Sequence, residues 1–124
     1  MAHERHAFVV LRCGQLHDEC VALVSHLPHL LAATLVNAVA GKNAHAFGVV
    51  GPGFRDTTRV AAGPPELWRG ILRENSSAVL PAIDAVIAKL AEFRQTLALA
   101  DDGQGIHDLL AAARATRERI TFPK

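Results

Sequence analysis

The chain has 124 residues, half of them hydrophobic, with thirteen Lys or Arg against twelve Asp or Glu and a formal net charge of +1. This is one domain's length, and its balanced, scattered charge excludes the basic stripe of a nucleic-acid binder and the polybasic cluster of a membrane-surface protein. Five Phe, one Trp and no Tyr beside abundant Ala, Leu and Val suit helices better than a β-sandwich, and so apolar a short chain is expected to bury part of its surface against another subunit.

The start, Met1 to His6, is polar and lacks the apolar stretch of a signal peptide. Later apolar runs are broken by His, Pro, Asn or Lys before the ~18 residues that span a bilayer. These features predict a cytoplasmic protein without a membrane partner, with Cys13 and Cys20 as reduced thiols. Residues 7–12, Ala-Phe-Val-Val-Leu-Arg, read as a candidate strand, isolated because no second strand follows.

From His17 to about Ala40 the pattern is helical. Val21, Leu23, Val24, Leu27, Leu30, Leu31, Leu35, Val36 and Val39 cover most of the circumference, which predicts burial on nearly all sides. Pro28 should kink or widen this helix, and Gly41 should stop it. A loop or frayed helix runs to Pro52, followed by a short helix over Gly53 to Ala62 and a break at Gly63-Pro64-Pro65. A helix over Pro65 to Glu74 puts Leu67, Trp68, Ile71 and Leu72 on one face. Asn75-Ser76-Ser77 offers caps for a long helix to about Ala100, with Pro81 in its early turns. A turn at Asp101 to Gly105 leads to a last helix over Ile106 to Ile120. The expected fold is all-α, a single helical dimerisation domain over 1–124 of about five helices, plus the isolated N-terminal strand.

Two segments could carry chemistry. In Ser25-His26-Leu27-Pro28-His29 the two His lie three apart on one helix and face similar directions. An imidazole on an apolar helix needs a hydrogen-bond partner, so the pair is either a satisfied core or interface pair, part of a ligand pocket, or two ligands of a metal. The metal reading lacks a third ligand, because His17-Asp18 is too far along the helix. His17-Asp18 is also the pair used by HD-class hydrolases, but the further ligands these need on separate helices cannot be placed.

The second segment is Gly51-Pro52-Gly53-Phe54-Arg55-Asp56-Thr57-Thr58-Arg59. Glycines such as Gly53 at a helix start let a ligand approach the backbone, and the unpaired N–H groups there favour anions. Arg55 and Arg59, four apart, can rise from one face, and Arg suits a carboxylate. Asp56 can hold an Arg or guard an entrance; the alternative is a solvated helix with an Asp56–Arg59 ion pair. Trp68 fits either the core or the wall of a pocket for a ring-shaped ligand.

Taken in order, His17-Asp18, Ser25-His26-Leu27-Pro28-His29-Leu30-Leu31-Ala32, Gly51 to Ala61, Pro65-Glu66-Leu67-Trp68 and Asn75 resemble the C-terminal domain of the prephenate/arogenate dehydrogenases, from about Leu16 to the end. The resemblance implies an all-helical domain that forms an intertwined homodimer and helps bind the cyclohexadiene substrate of tyrosine biosynthesis. It implies that Arg59 grips a substrate carboxylate, that His29 and His26 line the pocket, that Trp68 walls it and that Asp56 acts near the entrance. The family's nucleotide-binding domain, with its glycine-rich loop and catalytic His, finds no match in this sequence.

The expectation is therefore a substrate-binding and dimerisation domain for the oxidative decarboxylation of prephenate or arogenate. It would bind a small aromatic or prephenate-like acid but no cofactor, with NAD or NADP held by a missing or separate nucleotide-binding chain, and would be inactive without it. Two other readings are a non-catalytic dimeric regulator or sensor of an aromatic acid, and a structural remnant.

Overall fold

Pro28 has no N–H to give the carbonyl four residues back, so a regular helix cannot continue through it unchanged. The computed structural model, which describes residues 14–123, shows how the chain responds. Helix α1 (Gly14–Val21) passes into a π-helical turn at Ala22–His26, and α2 (Leu27–Asn43) continues from it with Pro28 in its first turn. The widening thus falls just before the proline. Gly41 does not end the helix, which runs on to Asn43. There the backbone turns extended, and the Asn43 side chain accepts a hydrogen bond from the His45 N–H at 3.0 Å.

A 3-10 turn at Ala44–Val49 leads to α3 (Pro52–Thr58), a second 3-10 turn at Arg59–Ala62, α4 (Pro65–Glu74), α5 (Ser76–Leu97) and α6 (Gln104–Arg119). With α1, the π turn and α2 taken as one rod, the described residues form five helices and no strand, an all-α fold. The candidate strand at residues 7–12 and Cys13 lie outside the described residues. Pro81 is tolerated as the sixth residue of α5.

The chain forms two compact units, one ending at Ile83 and one beginning at Asp84. In the first, α2 is the central element, and α3 and both 3-10 turns pack on it. Its buried apolar residues are few and mostly small: Ala22, Leu27, Ala32, Val79 and Ala82. Leu23, Val24, Leu31 and Leu35 of the rod remain exposed, Val24 to 76%. Among the described residues of one chain the rod is therefore covered on one side only, and burial nearly all round would need cover from beyond them.

The rod also corrects the membrane argument made from sequence. Gly14–Val49 is one helical stretch of 36 residues with a window of mean hydropathy 1.5, long and apolar enough by composition to cross a bilayer. His, Asn and Pro interrupt each run, but the many Ala, Leu and Val around them keep the average high. A helix that buries its apolar face inside a protein passes the same test, and this one carries two buried imidazoles packed on an indole from another helix.

In the second unit the later part of α5 and α6 are joined by a tight turn. Gly103 there has φ +89°, a left-handed conformation that suits glycine. The Asp101 and Asp102 carboxylates accept from the N–H groups of Gly103 and Gln104, at 2.8 and 3.1 Å. A groove of about 620 Å3 runs along this unit, lined by Ile87, Leu90, Phe93, Leu97, Ile106 and Leu110.

Candidate functional site

His26 closes the π turn and His29 lies in the first turn of α2, so the widened turn sets the angle between them. π turns of this kind often mark functional positions. Both imidazoles are buried, at 7% and 9% exposure, and both meet the indole of Trp68 from α4. His29 stacks on it with centroids 3.8 Å apart and planes 11° apart; His26 stands edge to face at 6.3 Å and 85°. Trp68 is itself half-buried. The structure thus joins two imidazoles and one indole that the sequence separates by some forty residues.

The two His differ in their hydrogen bonding. The Nδ1 of His26 lies 3.3 Å from the Asn75 side-chain nitrogen, which also donates to the Asp18 carbonyl at 3.0 Å. The Nδ1 of His29 is buried and has no hydrogen-bond partner among the described residues. A buried polar atom left unpaired costs about 1–3 kcal/mol, so this nitrogen calls for a partner beyond the described residues. His26 matches the satisfied-core alternative from the sequence at its Nδ1; His29 does not.

Gly63 escaped the sequence reading of this cluster, and Asn75 entered it only as a cap and as part of the family resemblance, without a site role. Gly63 looked like a mere break, yet a Cβ there would lie 3.2 Å from His29 Cε1, 3.2 Å from Trp68 Nε1 and 3.3 Å from the Val60 carbonyl. A side chain there would have to push these neighbours back by a few tenths of an ångström, so glycine favours the close approach of the Arg59–Ala62 turn to the stacked rings. Asn75 looked like a helix cap. Its carbonyl does accept from the N–H groups of Ala78 and Val79, but its side chain turns away to Asp18 and His26. Neither role has a signal in one sequence, because both depend on contacts across the fold.

The Gly51–Arg59 segment is placed differently. Gly53 is the second residue of α3, exposed, and a Cβ there would meet nothing within 4 Å. Asp56 is exposed and pairs with Arg55 at 3.5 Å, not with Arg59. The reason is local: α3 ends at Thr58, whose hydroxyl donates back to the Phe54 carbonyl at 2.7 Å, and Arg59 opens a 3-10 turn instead of continuing the helix. The four-residue spacing of Arg55 and Arg59 therefore does not define one α-helical face. Arg59 is exposed, with no ion pair to any described residue. Its turn packs on α2, the helix that carries His29. The described residues contain no cluster of His, Cys, Asp and Glu able to hold a metal ion.

A helical domain with an apolar rod that the described residues cover on one side, and two buried imidazoles packed on a half-buried indole, defines a class: an all-α module with apolar surface left open beside a polar–aromatic cluster. Residues 14–112 match the family model described as prephenate dehydrogenase, dimerization domain, and the chain belongs to this family. It is 40% identical to the cyclohexadienyl dehydrogenase of Zymomonas mobilis over 95 residues, 73% of this chain and 32% of that protein.

Two solved structures are similar. The arogenate dehydrogenase of Synechocystis superposes with a TM-score of 0.77 at 30% identity, covering 85% of this chain and 39% of that one. The prephenate dehydrogenase of A. aeolicus, solved with hydroxyphenyl propionate and NAD+, gives 0.72 at 30% identity, covering 83% and 37%. The chain spans about a third of the length of the curated relatives it matches.

The A. aeolicus relative was solved with a nicotinamide cofactor, NAD+. The described residues do not fit one. They contain no strand, and hence no strand–turn–helix unit of the kind that cradles a dinucleotide pyrophosphate. No step of hydride chemistry is derived from them.

Proposed function

We propose that this chain is the substrate-binding and dimerisation part of a cytoplasmic prephenate or arogenate dehydrogenase of tyrosine biosynthesis, acting as a single domain over 1–124. The observation that carries the proposal is the His29 ring, stacked on Trp68 with a buried, unpartnered Nδ1, in a chain of this family. Trp68 offers an apolar wall, His29 and His26 supply polar contacts, and Arg59 meets the carboxylate of a prephenate-like acid. Gly53 admits that acid close to the start of α3, and Asp56 lies toward the entrance, where its pairing with Arg55 can be exchanged for a ligand contact. NAD or NADP is held by a nucleotide-binding domain built from other residues, on this polypeptide or on a separate chain.

A second copy of the chain covers the exposed face of the rod and the groove of the C-terminal unit. Their apolar lining and the dimerisation domain to which the chain belongs support this reading. Light scattering at micromolar concentration should give the mass of a dimer, and a monomer would refute it.

Binding is tested by thermal shift with prephenate, arogenate and hydroxyphenyl propionate. A ligand present at 100 times its Kd stabilises by about 2.7 kcal/mol. If none of the three moves the melting temperature, the binding role fails. If one binds, but no turnover follows when NAD and a nucleotide-binding domain are supplied, a regulatory sensor replaces the dehydrogenase reading.

A further inference from the structure

The Asn75 side-chain nitrogen is 3.0 Å from the Asp18 carbonyl oxygen and 3.3 Å from His26 Nδ1. A carbonyl oxygen can only accept, so the amide must present its NH2 group on this side. The reversed amide would set two oxygens against each other at hydrogen-bond distance. An amide NH2 has two hydrogens and accepts nothing. One hydrogen goes to Asp18, and the other faces His26 Nδ1, which must then be the acceptor. The ring proton of a neutral His26 therefore sits on Nε2, because the partner of one ring nitrogen fixes the state of the other.

We propose that Asn75 is a positioning residue that locks His26 in the Nε2–H tautomer, so that His26 offers the pocket an N–H donor and selects a ligand with an acceptor oxygen at that point. This rests on the reading of the His–His–Trp cluster as a ligand pocket. Asp18 has a part in the device, since its backbone carbonyl orients the amide. That carbonyl belongs to α1, four residues before the helix widens at Ala22. Asn75 itself stands at the junction of α4 and α5. The lock thus ties the rod, through α1 and the π turn, to the α4–α5 junction, and His26 Nε2 has no hydrogen-bond partner among the described residues.

The test is long-range nitrogen–proton NMR of the full chain labelled with 15N-histidine, at a pH where the ring is neutral. Wild-type His26 should show a bare Nδ1 and a protonated Nε2 without any ligand. Asn75→Asp replaces the donor with an acceptor and should move the proton to Nδ1; Asn75→Ala should leave a mixture. A wild-type ring protonated on Nδ1 would overturn the proposal whatever the variants do. So would an Asn75→Ala protein that is folded and keeps the wild-type tautomer.

Titration with hydroxyphenyl propionate supplies the second arm, with about a tenfold loss of affinity expected for Asn75→Asp, a factor typical of one lost hydrogen bond. Unchanged affinity in a variant whose tautomer has switched would overturn the selective role. If the wild type does not bind this acid while the tautomer behaves as stated, the lock stands and the pocket reading fails.

Discussion

Replacing Gly63 by Ala tests whether the close approach of the Arg59–Ala62 turn to the stacked rings matters. The backbone itself permits alanine, since Gly63 has φ −64° and ψ 163°, and the loss of glycine's freedom in the unfolded chain would stabilise by about 0.4–1 kcal/mol. Opposing this, the new methyl would sit 3.2 Å from His29 Cε1, 3.2 Å from Trp68 Nε1 and 3.3 Å from the Val60 carbonyl. None of these is the loose end of a flexible side chain. The two rings are stacked on each other at 3.8 Å, so neither can retreat without disturbing the other. Forcing an extra methyl into packed surroundings costs about 1–3 kcal/mol, which outweighs the entropic gain.

The expected net loss is about 1 kcal/mol or somewhat more, or roughly 4–8 °C in melting temperature. Trp68 is the only tryptophan, so its fluorescence reports both the unfolding and the altered stack. Gly53→Ala is the control. Its methyl would meet nothing within 4 Å inside α3, so stability should hold or rise by up to about 1 kcal/mol. If a ligand needs the bare backbone there, affinity should fall without any loss of fold. A Gly63→Ala protein that melts at or above the wild type, with unchanged Trp68 emission, would refute the packing argument.

Other substitutions separate stability from binding. His29→Phe keeps a ring against Trp68 and removes the unpartnered Nδ1, so chemical denaturation should show equal or greater stability, by up to about 1–3 kcal/mol, with ligand affinity reduced. Marked destabilisation would mean that the nitrogen is satisfied in the protein. Arg59→Ala removes an exposed side chain with no ion pair to a described residue; its unfolding free energy should change by less than about 0.5 kcal/mol, while calorimetry should show carboxylate-ligand affinity falling roughly tenfold or more.

In α6, hydrogen bonds from the Gln104 amide and then from His107 hold the Asp108 carboxyl below the usual carboxylate range. A depressed folded value means that any stabilisation is present above the unfolded value and is lost as pH falls through the folded one. NMR titration is the right readout for so exposed a group, and Gln104→Ala should raise its midpoint toward the ordinary value.

The helical class, most element boundaries and the kinship were legible in the sequence. Apolar spacing and the positions of Gly and Pro are local properties of the chain, and the Ser25–His29 and Gly51–Arg59 blocks carry the family resemblance. That resemblance picked out Trp68 together with His26 and His29, and the fold joins these three. Simple spacing rules failed at particular helix ends. Gly41 has the chemistry of a helix stop, but the helix continues to Asn43. Arg55 and Arg59 have helical spacing, but the helix ends between them at Thr58.

What the sequence determined by itself was the supply of apolar surface: enough for a rod that the described residues of one chain leave half bare. Only the tertiary structure decided how its polar residues are used. It left the Nδ1 of His29 unpaired among the described residues while satisfying that of His26, turned Asn75 from a helix cap into the partner of an imidazole, and gave Gly63 its place against two rings. The physical reason is that periodicity is written residue by residue along the chain. A hydrogen bond between residues 26 and 75 exists only once the fold has brought them together.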